Sequence, residues 1–123
     1  MKKTILFLLF FAICCNVVKA DFTPIIIHNG GANGHDHNEH YVMADMPDAV
    51  YYDSDEHEII IEADGTSLYY NVEIVNDYMN LTVISTQISG YGDSIGVSSL
   101  PAGDYTIVIT SEFLNEYEGH FII

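Results

Sequence analysis

The chain has no tryptophan, and only three basic residues stand against 18 acidic ones. Those three are lysines, Lys2, Lys3 and Lys19, and both cysteines, Cys14 and Cys15, lie in the same N-terminal stretch. From position 21 onward there is no Lys, no Arg and no thiol. Each absence removes a class of function. Without Lys or Arg nothing neutralises a phosphate backbone, so direct nucleic-acid binding is excluded. Without Cys no disulfide forms, and packing must hold the fold even in an oxidising compartment. The same gaps remove most nucleophiles, oxyanion donors and sugar-stacking platforms. Nor is there a long apolar run. Positions 4–15 fall short of the ~20 residues that a membrane span needs, and no helical period follows.

Those first residues have the three-part pattern of a secretory signal peptide. Met1-Lys2-Lys3 is the basic head, 4–15 the apolar run, and Val18-Lys19-Ala20 places small residues three and one before a cut after Ala20. A lipoprotein signal would want a small residue before Cys14, where Ile13 stands. A signal at 1–20 predicts a secreted, periplasmic or cell-surface protein. Cleavage takes the formal charge from −15 to −18 and leaves 103 residues, 21–123. So large a single-sign charge reads first as solubility outside the cell. The length is that of one domain and can bury about 60–70% of the unfolded surface.

What is present is strand pattern. Positions 97–110 (V-S-S-L-P-A-G-D-Y-T-I-V-I-T) read as a strand end, a turn at Leu100, Pro101 and Gly103, and a second strand in which Tyr105, Ile107 and Ile109 alternate with Thr106, Val108 and Thr110. A tyrosine just after such a turn resembles the tyrosine corner of immunoglobulin-like sandwiches. Further strands are predicted at 22–28, 49–53, 57–63, 68–75, 81–88, 95–100 and 117–123, joined by turns such as Asp64-Gly65. Ile59 and Ile61 should face the core, with Glu58 and Glu62 outward. Leu68, Tyr70, Val72 and Ile74 should share one face. The expected fold class is all-β: an immunoglobulin-like antiparallel β-sandwich of seven to eight strands, one domain over 21–123.

The order of these features resembles a family of small secreted proteins of gut Bacteroidales, a domain of unknown function with an immunoglobulin-like sandwich. The markers are the Pro-Ile-Ile-Ile strand, Gly103 and Tyr105 in L-P-A-G-D-Y-T-I-V-I, and Gly119, Phe121 and Ile123 in the final E-G-H-F-I-I. The same markers are similar to the C-terminal sorting domains of type IX secretion cargo, although those end in a Lys-containing strand and 117–123 has no Lys. Neither resemblance implies catalytic residues.

Candidate chemistry is sparse. Gly92-Asp93-Ser94-Ile95-Gly96 matches G-x-S-x-G, but a nucleophile elbow needs a strand before the serine and a helix after it. Asp93-Ser94-Ile95 also looks like a short bacterial O-glycosylation acceptor, and Asn80-Leu81-Thr82 is an N-glycosylation sequon. Positions 35–40 (H-D-H-N-E-H) are the densest set of metal-ligand types. His35, His37 and His40, with carboxylates between, suit zinc, nickel or copper. Asp53, Asp55 and Glu56 offer oxygen to calcium without the EF-hand pattern. The pairs Tyr51-Tyr52 and Tyr69-Tyr70 must each turn one ring outward, and two such rings on neighbouring strands would form a patch.

No cofactor is required by this set. The expectation is a non-catalytic binding or adhesion module whose partner is a protein or glycan at the cell surface. The alternative is a zinc-type metal-binding protein of the periplasm or exterior that uses the loop 35–40.

Overall fold

The computed structural model describes residues 22–30 and 44–123. The strands are β1 (Phe22–Pro24), β2 (His28–Asn29), β3 (Ala49–Asp53), β4 (Glu58–Glu62), β5 (Tyr69–Asn76), β6 (Leu81–Ser89), β7 (Gly92–Gly96), β8 (Asp104–Ser111) and β9 (Glu116–Ile122). They form two antiparallel sheets, ordered β1-β3-β4-β7 and β2-β9-β8-β5-β6. The described residues contain no helix, and the expected all-β class holds.

Period-two alternation drives the packing. On β8, Tyr105, Ile107 and Ile109 are fully buried, and on β5 so are Tyr70, Val72 and Ile74. The facing sheet contributes Val50, Tyr52, Ile59, Ile61 and Ile95. Burying each such aliphatic side chain stabilises the fold by roughly 1.5–3 kcal/mol. Glu62 is exposed and Ile60 half-buried, as the alternation requires. The tyrosine corner is present. Tyr105 is fully buried, stacks on Phe121 at 5.6 Å between ring centres, and donates its hydroxyl to the Pro101 carbonyl at 2.6 Å.

Three expectations need correction. The strand at 22–28 is two strands in different sheets, β1 beside β3 and β2 beside β9. Pro24 cannot donate to a ladder, and the chain crosses the sandwich at Ile25, which is buried and anchored by its N–H to the Val50 carbonyl at 2.8 Å. Gly119 makes the crossing fit. A Cβ there would lie 2.8 Å from Ile25 Cγ2 and 2.9 Å from the Ile26 carbonyl oxygen. Second, the strand expected at 95–100 begins earlier and is β7, because Ser94 registers with Ile60 on β4. Third, Leu68 is 76% exposed. It sits one residue before β5 starts, in a loop that hydrogen bonds to Glu112 instead of pairing.

Candidate functional site

Three turns meet at one end of the sandwich: the β4–β5 loop around 64–68, the β6–β7 turn at Gly90 and Tyr91, and the β8–β9 turn at 112–115. Main-chain and side-chain hydrogen bonds join them. Gly65 N–H donates to the Gly90 carbonyl at 2.9 Å and Gly90 N–H to the Leu68 carbonyl at 3.0 Å. The Glu112 carboxylate accepts the Leu68 N–H at 3.0 Å, while Glu112 N–H donates to Ser67 Oγ at 3.0 Å. The Tyr91 ring lies directly over Gly65, so close that a Cβ there would come within 2.6 Å of it.

A buried carboxylate anchors this end from beneath. Asp45 is 4% exposed. It accepts hydrogen bonds from the Ser111 and Tyr117 hydroxyls and from Asn115 Nδ2 at 2.9 Å. Its main-chain carbonyl accepts the Tyr70 hydroxyl at 2.7 Å. Burial alone would raise the Asp45 pKa. The bonds from Ser111, Tyr117 and Asn115 together outweigh it and hold the carboxyl below its ordinary value. The same burial, with the nearby Asp45 charge, pushes Tyr70 up to about 12. Tyr117 rises as well, from burial and from its bond to Asp45.

Upon this scaffold stand four large apolar side chains in solvent: Leu68, Tyr91, Phe113 and Leu114, between 60% and 82% exposed. Leu114 also adopts a positive φ of 65°. Turns of this kind normally place Gly or Asn at that left-handed position, because a Cβ there is strained. Strain and exposed apolar surface therefore coincide in one residue.

The sequence-predicted sites fare differently. His35, His37 and His40 lie outside the described residues. Among the described residues no three His, Cys, Asp or Glu side chains converge to hold a metal ion. Asp53 instead closes its own turn, accepting the N–H groups of Asp55 at 3.0 Å and Glu56 at 3.3 Å. Ser94 is exposed on β7, and a strand in an all-β sandwich is not the strand–turn–helix context of a nucleophile elbow. Asn80 holds the β5–β6 turn with φ 51°. The condition for a tyrosine patch, outward rings on neighbouring strands, is not met, because Tyr51 and Tyr69 lie on different sheets; Tyr51 instead meets Phe22 edge-on at 6.5 Å. Sequence reasoning also missed a polar group on the outer face of the larger sheet. There Thr106 Oγ1 bonds Asp77 at 2.6 Å and lies 2.9 Å from His120 Nδ1, and the His28 and His120 rings are 6.5 Å apart. A cleft of about 550 Å³ between Ile25–Ile27 and 44–50 has Asp48 as its one polar side chain and holds no convergent catalytic set.

Two facing antiparallel sheets, a tyrosine corner and turns gathered at the ends define an immunoglobulin-like β-sandwich. The solved structures agree. The chain is similar to a DUF3244 family protein with an immunoglobulin-like β-sandwich fold from Bacteroides vulgatus, at 14% identity and a TM-score of 0.61, over 83% of this chain and 98% of that one. That likeness shows the fold. No family model and no curated protein matches the sequence.

Proposed function

We propose that this chain is an exported, non-catalytic binding module that grips a protein partner at the cell surface with its loop tip. One observation carries the reading: Leu68, Tyr91, Phe113 and Leu114 stand exposed on three turns that are hydrogen bonded to one another, the third of them pinned to a buried carboxylate. Large apolar side chains presented on turns already braced by hydrogen bonds are suited to anchor an interface, since the backbone's ordering entropy is already spent. Glu62 and Asp64 are exposed beside the tip, and the chain as a whole is strongly acidic. The matching partner surface is therefore an apolar pocket rimmed by Lys or Arg, with steering that weakens as salt rises. Export is supported by the N-terminal signal pattern.

The test uses matched baits. Wild type and a Phe113→Ser/Leu114→Asn double variant are immobilised and exposed to an envelope extract of the producing organism, and retained proteins are quantified by mass spectrometry. The expected result is at least one protein retained about tenfold more by the wild type, with the variant melting no lower than the wild type. Equal retention by both baits would remove the tip as the binding surface.

A further inference from the structure

Four strands end the two sheets, and three of them are blunted. β1 has three residues and ends in Pro24. β2 has two residues. β7 carries Asp93 in the inward row, opposite buried Ile61 on β4. Short length, proline and inward charge are the devices that keep a sheet edge from pairing with another chain. The fourth edge, β6, has little such protection. Its nine residues contain no charge, no Pro and no Gly. One irregularity falls near Val83, where the β5–β6 register shifts, and from Ile84 to Ser89 the ladder with β5 is regular. Among the described residues no strand pairs with its outer side.

Two features specify what fits this edge. First, it is uncharged in a chain with 18 acidic residues. Among the described residues every other strand of five residues or more contains at least one Asp or Glu. Two copies of so acidic a chain can approach strand to strand here without opposing like charges. Second, the segment I-S-T-Q-I over 84–88 is self-complementary about Thr86. An antiparallel copy centred there sets Ile84 opposite Ile88, Ser85 opposite Gln87 and Thr86 opposite Thr86. Ile84 and Ile88 then share the inward row with Thr86, which registers with buried Val72, while Ser85 and Gln87 pair on the outward face, pairings that stabilise sheets. Ile84, half-exposed in the single chain, gains a neighbour.

We propose that β6 is a dimerisation edge at which a second copy of this chain adds antiparallel across a two-fold axis at Thr86, joining the two five-stranded sheets into one. Such an interface is isologous and closed, so association stops at two. Antiparallel pairing points the two loop tips in opposite directions, which makes the dimer divalent. The inference rests on a surface separate from the tip.

Sedimentation equilibrium of the purified protein tests it, at up to about 1 mM protein and at about 0.05 and about 0.5 M NaCl. The wild type should dimerise, with a Kd at least tenfold lower at the higher salt, where repulsion between the acidic copies is screened. Thr86→Asp and Thr86→Lys each place like charges at the axis and should each raise Kd at least tenfold. Mixed in equal amounts they should regain the dimer, because opposite charges then meet. Circular dichroism melts verify that both variants fold. In the wild type, amide exchange over 84–89 should also slow as protein concentration rises, a readout that needs no variant. A wild type that stays monomeric at high salt, variants that dimerise undiminished, or a mixture no better than its parts would each overturn the proposal. Monomers throughout would leave the edge to a strand from a different protein.

Discussion

Replacing Asp45 by Asn removes one charge and almost no volume, and the structure sets what that should cost. In the wild type one oxygen accepts from Tyr117, and the other accepts from both Ser111 and Asn115. An Asn side chain supplies one acceptor oxygen and one NH2 donor. If its oxygen faces Ser111 and Asn115, the Tyr117 hydroxyl must turn from donor to acceptor. If its NH2 faces them, it opposes the Asn115 NH2. Either way charge-assisted bonds, each contributing about 1.5–3 kcal/mol, become neutral or are lost. The removed charge carried a desolvation penalty, which offsets part of the loss. A net cost of about 2–3 kcal/mol follows for Asp45→Asn, and about 3–5 kcal/mol for Asp45→Ala, which leaves the donors unpaired in a buried site. At about 4–8 °C per kcal/mol for a domain near this size, Asp45→Asn should lower Tm by about 8–24 °C. The pH dependence isolates the cause. The folded pKa of Asp45 lies below its unfolded value, so the ionised carboxylate contributes stability that is complete above about pH 5 and lost as pH falls through the folded pKa. Urea unfolding of wild type and Asp45→Asn should therefore show a gap that is full at pH 7 and narrows below about pH 4. Amides of 112–115 should exchange faster in the variant, since Asn115 and Ser111 lose their anchor. A gap that stays constant from neutral to acid pH, or one under about 0.5 kcal/mol, would refute the assignment of this stability to the carboxylate.

Three other predictions follow from particular residues. Tyr105→Phe leaves the Pro101 carbonyl without its donor and should destabilise by about 1–3 kcal/mol in denaturant titration; an unchanged midpoint would mean the corner bond contributes nothing. Leu114→Gly relieves a left-handed Leu and should stabilise by up to about 1 kcal/mol, while weakening partner retention in the bait assay; a loss of stability would show the φ is not strained. Tyr70, raised to about 12, and Tyr117, raised too, bind their protons more tightly folded than unfolded. Stability should be fully present below about pH 10 and fall above it, by up to about 1.4 kcal/mol per pH unit for each; absorbance at 295 nm should show two late-ionising phenols, and early release of all would contradict their burial.

The sequence by itself determined the class of fold, because strand alternation is a local signal and burial follows it directly. Tyr105, Ile107 and Ile109 could be read as one face from spacing alone, and the turn before them marked the corner. Local pattern was silent where the chain changes partner. Nothing in F-T-P-I-I-I-H shows that Phe22 and His28 join different sheets. That depends on Gly119, about ninety positions away, making room at Ile25. The same limit hid the loop tip. Asp45 lies in a transitional stretch by composition, and its donors Ser111, Asn115 and Tyr117 come from the far end of the chain. Leu68 carries a core residue's chemistry, yet its backbone is tied to Glu112 and Gly90 in the loop and its side chain stands in solvent. Whether an apolar side chain serves the core or faces outward is decided by which turns meet, and that meeting is a long-range property fixed by the two sheets closing on each other.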